Sequence, residues 1–563
     1  MSTAEHFDTV VVGSGFGGSV AAYRVAESGR DVCVLERGKG YPPGSFPRTP
    51  DGMGKNFWDP SRGLHGMFNL WSFRGMEALV SSGLGGGSLI YANVLLRKDE
   101  NWFVHEETFD GGYEHWPISR ADLEPHYDRV EEMMNAQVFP FDAYPLAKTS
   151  AMKESAEHLG LEFMLPPLAV TFHNQNEPPV IGALVEREFP NIHGMPRQTC
   201  RLCGECDVGC NFGAKNTLDH NYLSAAQAKG AEIRARSEVR RIAPVEGGGF
   251  RVEYVEHHES NVGRALDTSG LPRRTLICDR LVLAAGTLGT GYLLLRNRAA
   301  FPGISATLGS RFCGNGDLLG FMFDCKTGYP GREEARLLNG TVGPVITSAI
   351  RVADATDPDG AGRGFYLEDA GFPSFLGWVM ETTQAPNRLR RLMAFAAKRL
   401  WAAIRRSGQS DWTGAVATAL GGAEFSSSSL PLLGMGRDIP DGKMRLKGKM
   451  LDVDWTIDSS RVYFNRVEQT MRDITDVLGG RFQRNLLSYL ARVITVHPLG
   501  GAPMGRHPGE GVVDDKGEVF GYPGLFVVDG SAMPGPVGAN PALTIAAFAD
   551  RAMDHILEAP GSR

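Results

Sequence analysis

Between Val10 and Gly18 an apolar run, Val10-Val11-Val12, breaks into Gly13-Ser14-Gly15-Phe16-Gly17-Gly18. A strand that ends in this glycine spacing and opens a helix is the start of a βαβ dinucleotide-binding unit, and it commits the chain to an α/β sheet. Gly13 allows the tight turn, Gly15 lets backbone approach a pyrophosphate, and Gly18 lets helix and strand pack closely, with the free N–H groups of the helix facing the phosphates. The context agrees: Ala21, Ala22 and Val25 continue on a helical period, Gly29 ends the helix, and Val32-Cys33-Val34-Leu35 is a second buried strand closing on Glu36. Glu36 stands roughly 20 residues downstream, where a carboxylate accepts ribose hydroxyls.

At 563 residues the chain exceeds what one core holds, so two or more domains are expected. A net charge of −7 and the lack of a basic run interleaved with aromatics argue against a nucleic-acid partner. The first strand begins near Phe7, which leaves no room for a secretion signal, and no apolar stretch is long enough to span a bilayer; a cytoplasmic protein is expected. Eight cysteines in such a chain do not suggest a disulfide framework.

Further along, Ser81-Ser82-Gly83-Leu84-Gly85-Gly86-Gly87-Ser88 is a second glycine loop, where bare backbone can pass a planar ligand. Trp116-Pro117-Ile118-Ser119 precedes a helix reaching Met134, Glu232 to Val255 alternates like a β-meander, and Leu281 to Gly286 reads as a buried strand entering a turn and helix. Leu525 to Gly530 is another buried strand with Asp529 at its carboxyl end, where ligands of open α/β sheets sit. Residues 316–493 mix glycine-rich loops, short strands such as Val345 to Ile350 and helices, with Ser426 to Ser429 read as a flexible turn. This stretch reads as a substrate domain inserted into the nucleotide domain.

Taken together, the fingerprint at Gly13 to Gly18, the loop Gly83 to Ser88, the Trp116-Pro117 segment, His497-Pro498-Leu499-Gly500-Gly501 and Gly538-Ala539-Asn540-Pro541 resemble the glucose-methanol-choline (GMC) family of FAD-dependent alcohol oxidoreductases, over nearly the whole chain. Phe365-Tyr366-Leu367-Glu368, Leu433-Gly434-Met435-Gly436-Arg437-Asp438 and the spacing from Gly530 to Asn540 are most similar to its cholesterol oxidases. The resemblance implies a discontinuous FAD-binding Rossmann-like domain in three parts, 1–100, 200–315 and 494–563, with a cap segment at 101–199 and a substrate domain, a β-sheet plus helices, at 316–493. It implies FAD contacts from Phe16, Gly17 and Glu36 at the pyrophosphate and ribose, Gly86 and Gly87 along the flavin, Val239 at the adenine, and Asp529 with Gly530 at the ribityl and phosphate end. Many relatives carry Asn at the position of Tyr91, and here Asn93 is the alternative flavin contact. His497 and Asn540 match the pair facing the reactive edge of the flavin, and Glu368 matches the carboxylate that moves a proton during double-bond migration in sterol oxidases.

Those residue types suit the chemistry. Oxidising a secondary alcohol removes the hydroxyl proton while hydride moves to the flavin, so an imidazole that accepts the proton and an amide that holds the oxygen belong together. A carboxyl on an apolar wall has its pKa raised, which suits proton transfer between ring carbons; Asp369 competes with Glu368 for that role. The expected substrate is a 3β-hydroxysteroid such as cholesterol, with O2 as acceptor. The alternatives are a dehydrogenase of another bulky or long-chain alcohol that passes its electrons to a quinone, a carrier or an iron–sulfur cluster, and a non-enzymatic lipid-binding module.

Two features stand outside this core. Cys200, Cys203, Cys206 and Cys210 have the C-x2-C-x2-C-x3-C spacing of a ferredoxin run without its following proline, which leaves an iron–sulfur cluster, zinc through four thiolates, or no metal as readings. From Arg388 to Arg406 seven basic residues alternate with an apolar stripe at helical spacing. This is either an ordinary half-buried helix or a peripheral membrane contact.

Overall fold

The computed structural model describes residues 5–106, 113–186, 190–329, 331–358, 360–374, 376, 424–485 and 492–558; the Arg388–Arg406 stripe lies outside them. The opening unit is β1 (Glu5–Val12), α1 (Phe16–Glu27) and β2 (Val32–Leu35). β1 pairs in parallel with β2, from Thr9 opposite Val32 to Val12 opposite Leu35, and on its other side with the strand Arg273–Leu283. Continuous burial from Val10 to Val12 and along all of β2 is the signature of a parallel sheet covered on both faces.

The strand Arg273–Leu283 serves two partners along one edge. Its first half carries the antiparallel strands Phe250–Glu256 and Ser237–Pro244, and its last three residues pair in parallel with Leu525–Val527. The first strand of the expected meander, Glu232–Arg234, instead joins the far side of β2 in parallel. The seven strands thus come from three separated stretches of chain, and the helix Pro541–Glu558 packs against α1 and Arg120–Met133. A capping box between Ser119 and Asp122 starts the latter helix, where the Pro-Ile-Ser sequence places it.

The second sheet is antiparallel, in the order Glu162–Met164, Ala349–Val352, Phe365–Asp369, Leu430–Gly436, Leu318–Phe323 and Arg481–Arg484. Period-two alternation divides its two faces between two cores. Phe365, Leu367, Leu430 and Leu432 join Tyr463, Phe464, Val467, Met471 and Ile474 of the helix Arg461–Val477. Tyr366, Met435 and Ala349 join the core of the nucleotide-binding sheet. Glu368 shares the parity of Tyr366 and so belongs to the face turned toward that sheet. Ser426 to Ser429 are not the flexible turn expected of them: Ser426, Ser428 and Ser429 are buried, and the hydroxyls of Ser428 and Ser429 donate to the Phe425 carbonyl at the lead-in to Leu430–Gly436.

Candidate active site

The glycine turn is built as its spacing requires. Gly13 sits at φ +98°, and a Cβ there would lie 2.3 Å from the Ala284 carbonyl oxygen. A Cβ at Gly17 would lie 1.9 Å from the Val528 oxygen, and one at Gly18 2.0 Å from the Gly13 oxygen, so these two lock α1 onto the sheet. A Cβ at Gly15 would meet nothing within 4 Å, and one at Gly87 only the edge of Phe16 at 4.0 Å. Gly86 packs on Gly15, its Cβ position lying 2.6 Å from the Gly15 Cα, which brings the second glycine loop onto the first turn. Glu36 ends β2 beside it: Oε2 accepts from the Ser14 N–H and hydroxyl at 3.1 and 2.7 Å, and Oε1 from the Gly38 N–H at 2.8 Å. Ser14 Oγ in turn accepts from the Gly85 N–H at 3.0 Å.

This cradle fits a flavin dinucleotide. α1 carries no side-chain cap and no acid in its first turn, so its first N–H groups are free for an anion. Buried polar atoms ordinarily have partners. Yet both amide atoms of Asn93, the Tyr91 hydroxyl and Asn540 Oδ1 are buried without one. Tyr91 meets Phe16 edge-on at 5.4 Å, so its ring borders the first glycine turn. Val239 lies at the irregularity in the strand Ser237–Pro244, whose start is tied to β2 through the Ser237 N–H to Glu36 carbonyl bond of 2.7 Å. Asp529 is held in place by its own bonds: the Gly286 N–H donates to it at 2.9 Å, with Thr290 and Ser531 as further donors, so the carboxylate ties the end of Leu525–Val527 to the turn after Leu283. Gly530 lets this turn approach Thr287 and Leu499.

His497, Asn540 and Glu368 converge through a segment the sequence did not single out, Gly314-Asn315-Gly316-Asp317. Asp317 Oδ1 lies 2.8 Å from His497 Nδ1, and Oδ2 accepts from the N–H groups of Val496 and His497 at 2.8 and 3.1 Å. Two residues away, Asn315 donates to the Ala539 carbonyl at 3.0 Å and accepts from the Gly538 N–H at 2.8 Å, fixing the loop that carries Asn540. Lys98, wholly buried, donates to the carbonyls of Pro536 and Val537 at 2.9 and 3.0 Å from the other side. The His497 loop is braced by its own backbone, with Leu499 and Cys313 exchanging bonds and the Gly500 N–H donating to the Gly530 carbonyl at 2.9 Å.

Asn540 Nδ2 reaches Glu368 Oε2 at 3.4 Å, and Glu368 Oε1 has no partner. The competing carboxylate differs sharply. Asp369 accepts from the backbone N–H and hydroxyl groups of Thr347 and Ser348 and pairs with Lys148 at 2.7 Å, both groups wholly buried; it is a structural tie. Glu368 is left as the acid with capacity to spare. Burial, helped by the neighbouring carboxylates of Asp369 and Asp317, pushes it from 4.5 up to about 8.

Between those values the folded chain keeps a proton that the unfolded chain has released, so stability from this group falls as pH rises through the window, by at most about 1.4 kcal/mol per pH unit. Glu368→Gln removes that dependence. The melting temperature of the variant relative to wild type is expected to rise steadily from pH 5 to pH 8, and a flat difference would contradict the raised value.

The cysteine run gives no support for a metal centre: among the described residues no three His, Cys, Asp or Glu side chains gather as ligands, and the eight cysteines are free thiols. The loop turns through left-handed Leu202, Gly204 and Gly209, and burial raises the thiols of Cys200, Cys203 and Cys206. Its organiser is Lys215, whose buried ammonium donates to the carbonyls of Cys206 and Leu89 at 2.9 and 3.1 Å. Among the described residues no helix is long and apolar enough to cross a membrane.

Comparison with known proteins agrees with this geometry. Residues 11–71 match an NAD(P)-binding Rossmann-like domain, and residues 179–304 and 456–549 match the N- and C-terminal models of GMC oxidoreductases. The chain is 30% identical over 570 residues to a cholesterol oxidase of Mycobacterium tuberculosis, covering 97% of this chain and 90% of that one. It is 24% identical to a long-chain-alcohol oxidase of Arabidopsis thaliana, covering 96% of this chain and 65% of the plant protein. Pyridoxine 4-oxidase from Mesorbium loti shares the fold, with a TM-score of 0.54 at 16% identity over 98% of this chain and 99% of that one. A glycine cradle for a dinucleotide, an imidazole and an amide anchored to one buried segment, and near full-length similarity all lead to one assignment: the chain belongs to the GMC oxidoreductase family, as an FAD-dependent alcohol oxidoreductase.

Proposed function

We propose that the substrate is a 3β-hydroxysteroid such as cholesterol, oxidised to the 3-ketosteroid and then isomerised from the Δ5 to the Δ4 form, with O2 taking up the electrons. The observation that carries this reading is Glu368: a wholly buried, nearly unpartnered carboxyl beside Asn540, pushed up to about 8 by burial, serves no purpose in simple alcohol oxidation but suits moving a proton between two ring carbons. Similarity to a protein named cholesterol oxidase supports it.

In this reading His497 takes the hydroxyl proton, Asn540 holds the same oxygen through its amide, and Glu368 relays the proton of the double-bond shift. Bound FAD supplies the hydride acceptor. The second reading, a dehydrogenase or oxidase of another bulky or long-chain alcohol, draws on similarity to the plant long-chain-alcohol oxidase.

A panel of alcohols separates the two. Anaerobic addition of cholesterol is expected to bleach the bound flavin and, with air readmitted, to yield a conjugated enone and peroxide. Bleaching by fatty alcohols but not by cholesterol would overturn the steroid assignment.

A further inference from the structure

Asp317 meets His497 in an arrangement with more consequence than anchoring. The two carboxylate oxygens do different work. Oδ2 faces donors that cannot rotate away, the backbone N–H groups of Val496 and His497 at 2.8 and 3.1 Å, with the Thr495 hydroxyl a third neighbour at 2.9 Å. Oδ1 is left for the imidazole, at 2.8 Å from Nδ1. The Asp317 side chain is 1% exposed and that of His497 16%, so bulk water does not compete for this contact.

An ionised carboxylate has no proton to give, so Nδ1 must carry one; in the neutral ring Nε2 is then the unprotonated nitrogen. We propose that Asp317 is a positioning residue that fixes His497 in the Nδ1–H tautomer, leaving Nε2 as the base for the alcohol proton, and that it holds the imidazolium formed when that proton arrives. This deepens the alcohol-oxidation reading and rests on it. The proton balance is simple: the substrate O–H bond breaks, an Nε2–H bond forms, and the positive ring sits beside a buried anion.

The surrounding acids are consistent with this division. Glu368 and Asp438 have few donors, and burial pushes them up to about 8 and about 7. Asp317 has three donors gathered on Oδ2 alone, the N–H groups of Val496 and His497 and the Thr495 hydroxyl.

The arrangement makes an unusual prediction for the isosteric variant. In Asp317→Asn the two backbone N–H groups demand an acceptor at the Oδ2 position, so the amide oxygen settles there and the NH2 group turns to Nδ1. The ring is then forced into the Nε2–H tautomer, which cannot accept the alcohol proton. Asp317→Ala removes the anchor without imposing either tautomer. A purely structural role predicts that the Asn variant is milder in every respect.

The tautomer role predicts a split: Asn melts higher than Ala, yet its flavin is reduced by cholesterol at least as slowly, about 10²- to 10⁴-fold below wild type, with substrate affinity changed only a few-fold. An Asp317→Asn rate within about threefold of wild type would overturn the proposal. A substrate-free measurement keeps the two readings apart. With 15N-labelled histidines, and the His497 signals assigned by their loss in His497→Gln, wild type is expected to show protonated Nδ1 and bare Nε2, and Asp317→Asn the reverse. Protonated Nε2 in neutral wild-type imidazole refutes the dyad whatever the substrate proves to be. Failure of cholesterol to bleach wild-type flavin, with the expected tautomers present, refutes only the steroid reading.

Discussion

Replacing His497 with alanine is expected to leave a folded, yellow protein whose flavin is reduced by alcohol about 10²- to 10⁴-fold more slowly, the usual worth of a positioned general base. Folding is spared because the loop does not hang on the imidazole: Leu499 pairs with Cys313, and the N–H groups of Gly500 and Gly501 donate to the carbonyls of Gly530 and Ser310. Asp317 keeps its two backbone donors and the Thr495 hydroxyl, so no buried carboxylate is stranded. A base that acts only as the hydroxyl proton leaves contributes to the transition state and not to ground-state binding, so the loss falls on the rate and not on KM. Anaerobic stopped-flow absorbance reads the effect. A flavin-reduction rate within about threefold of wild type would exclude His497 as the base.

Gly15→Val is expected to separate folding from cofactor binding. Gly15 has φ −72° and ψ −167°, extended backbone open to any residue, and a Cβ there touches no protein atom within 4 Å. The protein therefore tolerates the side chain, but the pyrophosphate that approaches this turn does not. α1 cannot retreat, because Gly17 and Gly18 already lie against the backbone of Val528 and Gly13. Overpacking of about 1–3 kcal/mol then falls on the ligand, a loss of roughly 5- to 150-fold in FAD affinity. Purified protein should be pale, with a far-ultraviolet spectrum unchanged from that of the wild-type apoprotein. Gly17→Ala is expected to do the opposite, damaging the fold itself, since its Cβ would lie 1.9 Å from a carbonyl oxygen. A fully flavinylated Gly15→Val protein would place the dinucleotide elsewhere.

The contrast between these two glycines shows what a sequence of this kind discloses. The fingerprint at Gly13 to Gly18, Glu36 at the end of β2, and the strands closing on Leu283 and Val527 were legible because local spacing and apolar runs encode them. His497, Asn540 and Glu368 came from resemblance to a family. That Glu368 and not Asp369 faces the nucleotide-binding sheet was beyond the pattern, since strand parity says that neighbours point apart without saying which way. The choice is made by Lys148, Thr347 and Ser348, which claim Asp369.

Asn315, Asp317 and Lys98 escaped notice for a related reason. Their side-chain partners lie 178 to 439 positions away in the chain, and no periodicity reports such contacts. A left-handed Asn in an Asn-Gly-Asp turn was the only local sign. The cysteine run has a spacing typical of clusters, and the structure shows its backbone held by the ammonium of Lys215, a contact the spacing does not announce.

The central claim is that one imidazole and one amide, fixed through Asp317 and Asn315, meet the reactive edge of a bound flavin. A crystal structure of the yellow protein tests this most directly. The account predicts isoalloxazine density lying along Gly86 and Gly87, with His497 and Asn540 side by side at its hydride-accepting edge and Glu368 behind Asn540. Density that leaves His497 remote from the ring, or on the opposite edge from Asn540, would contradict it.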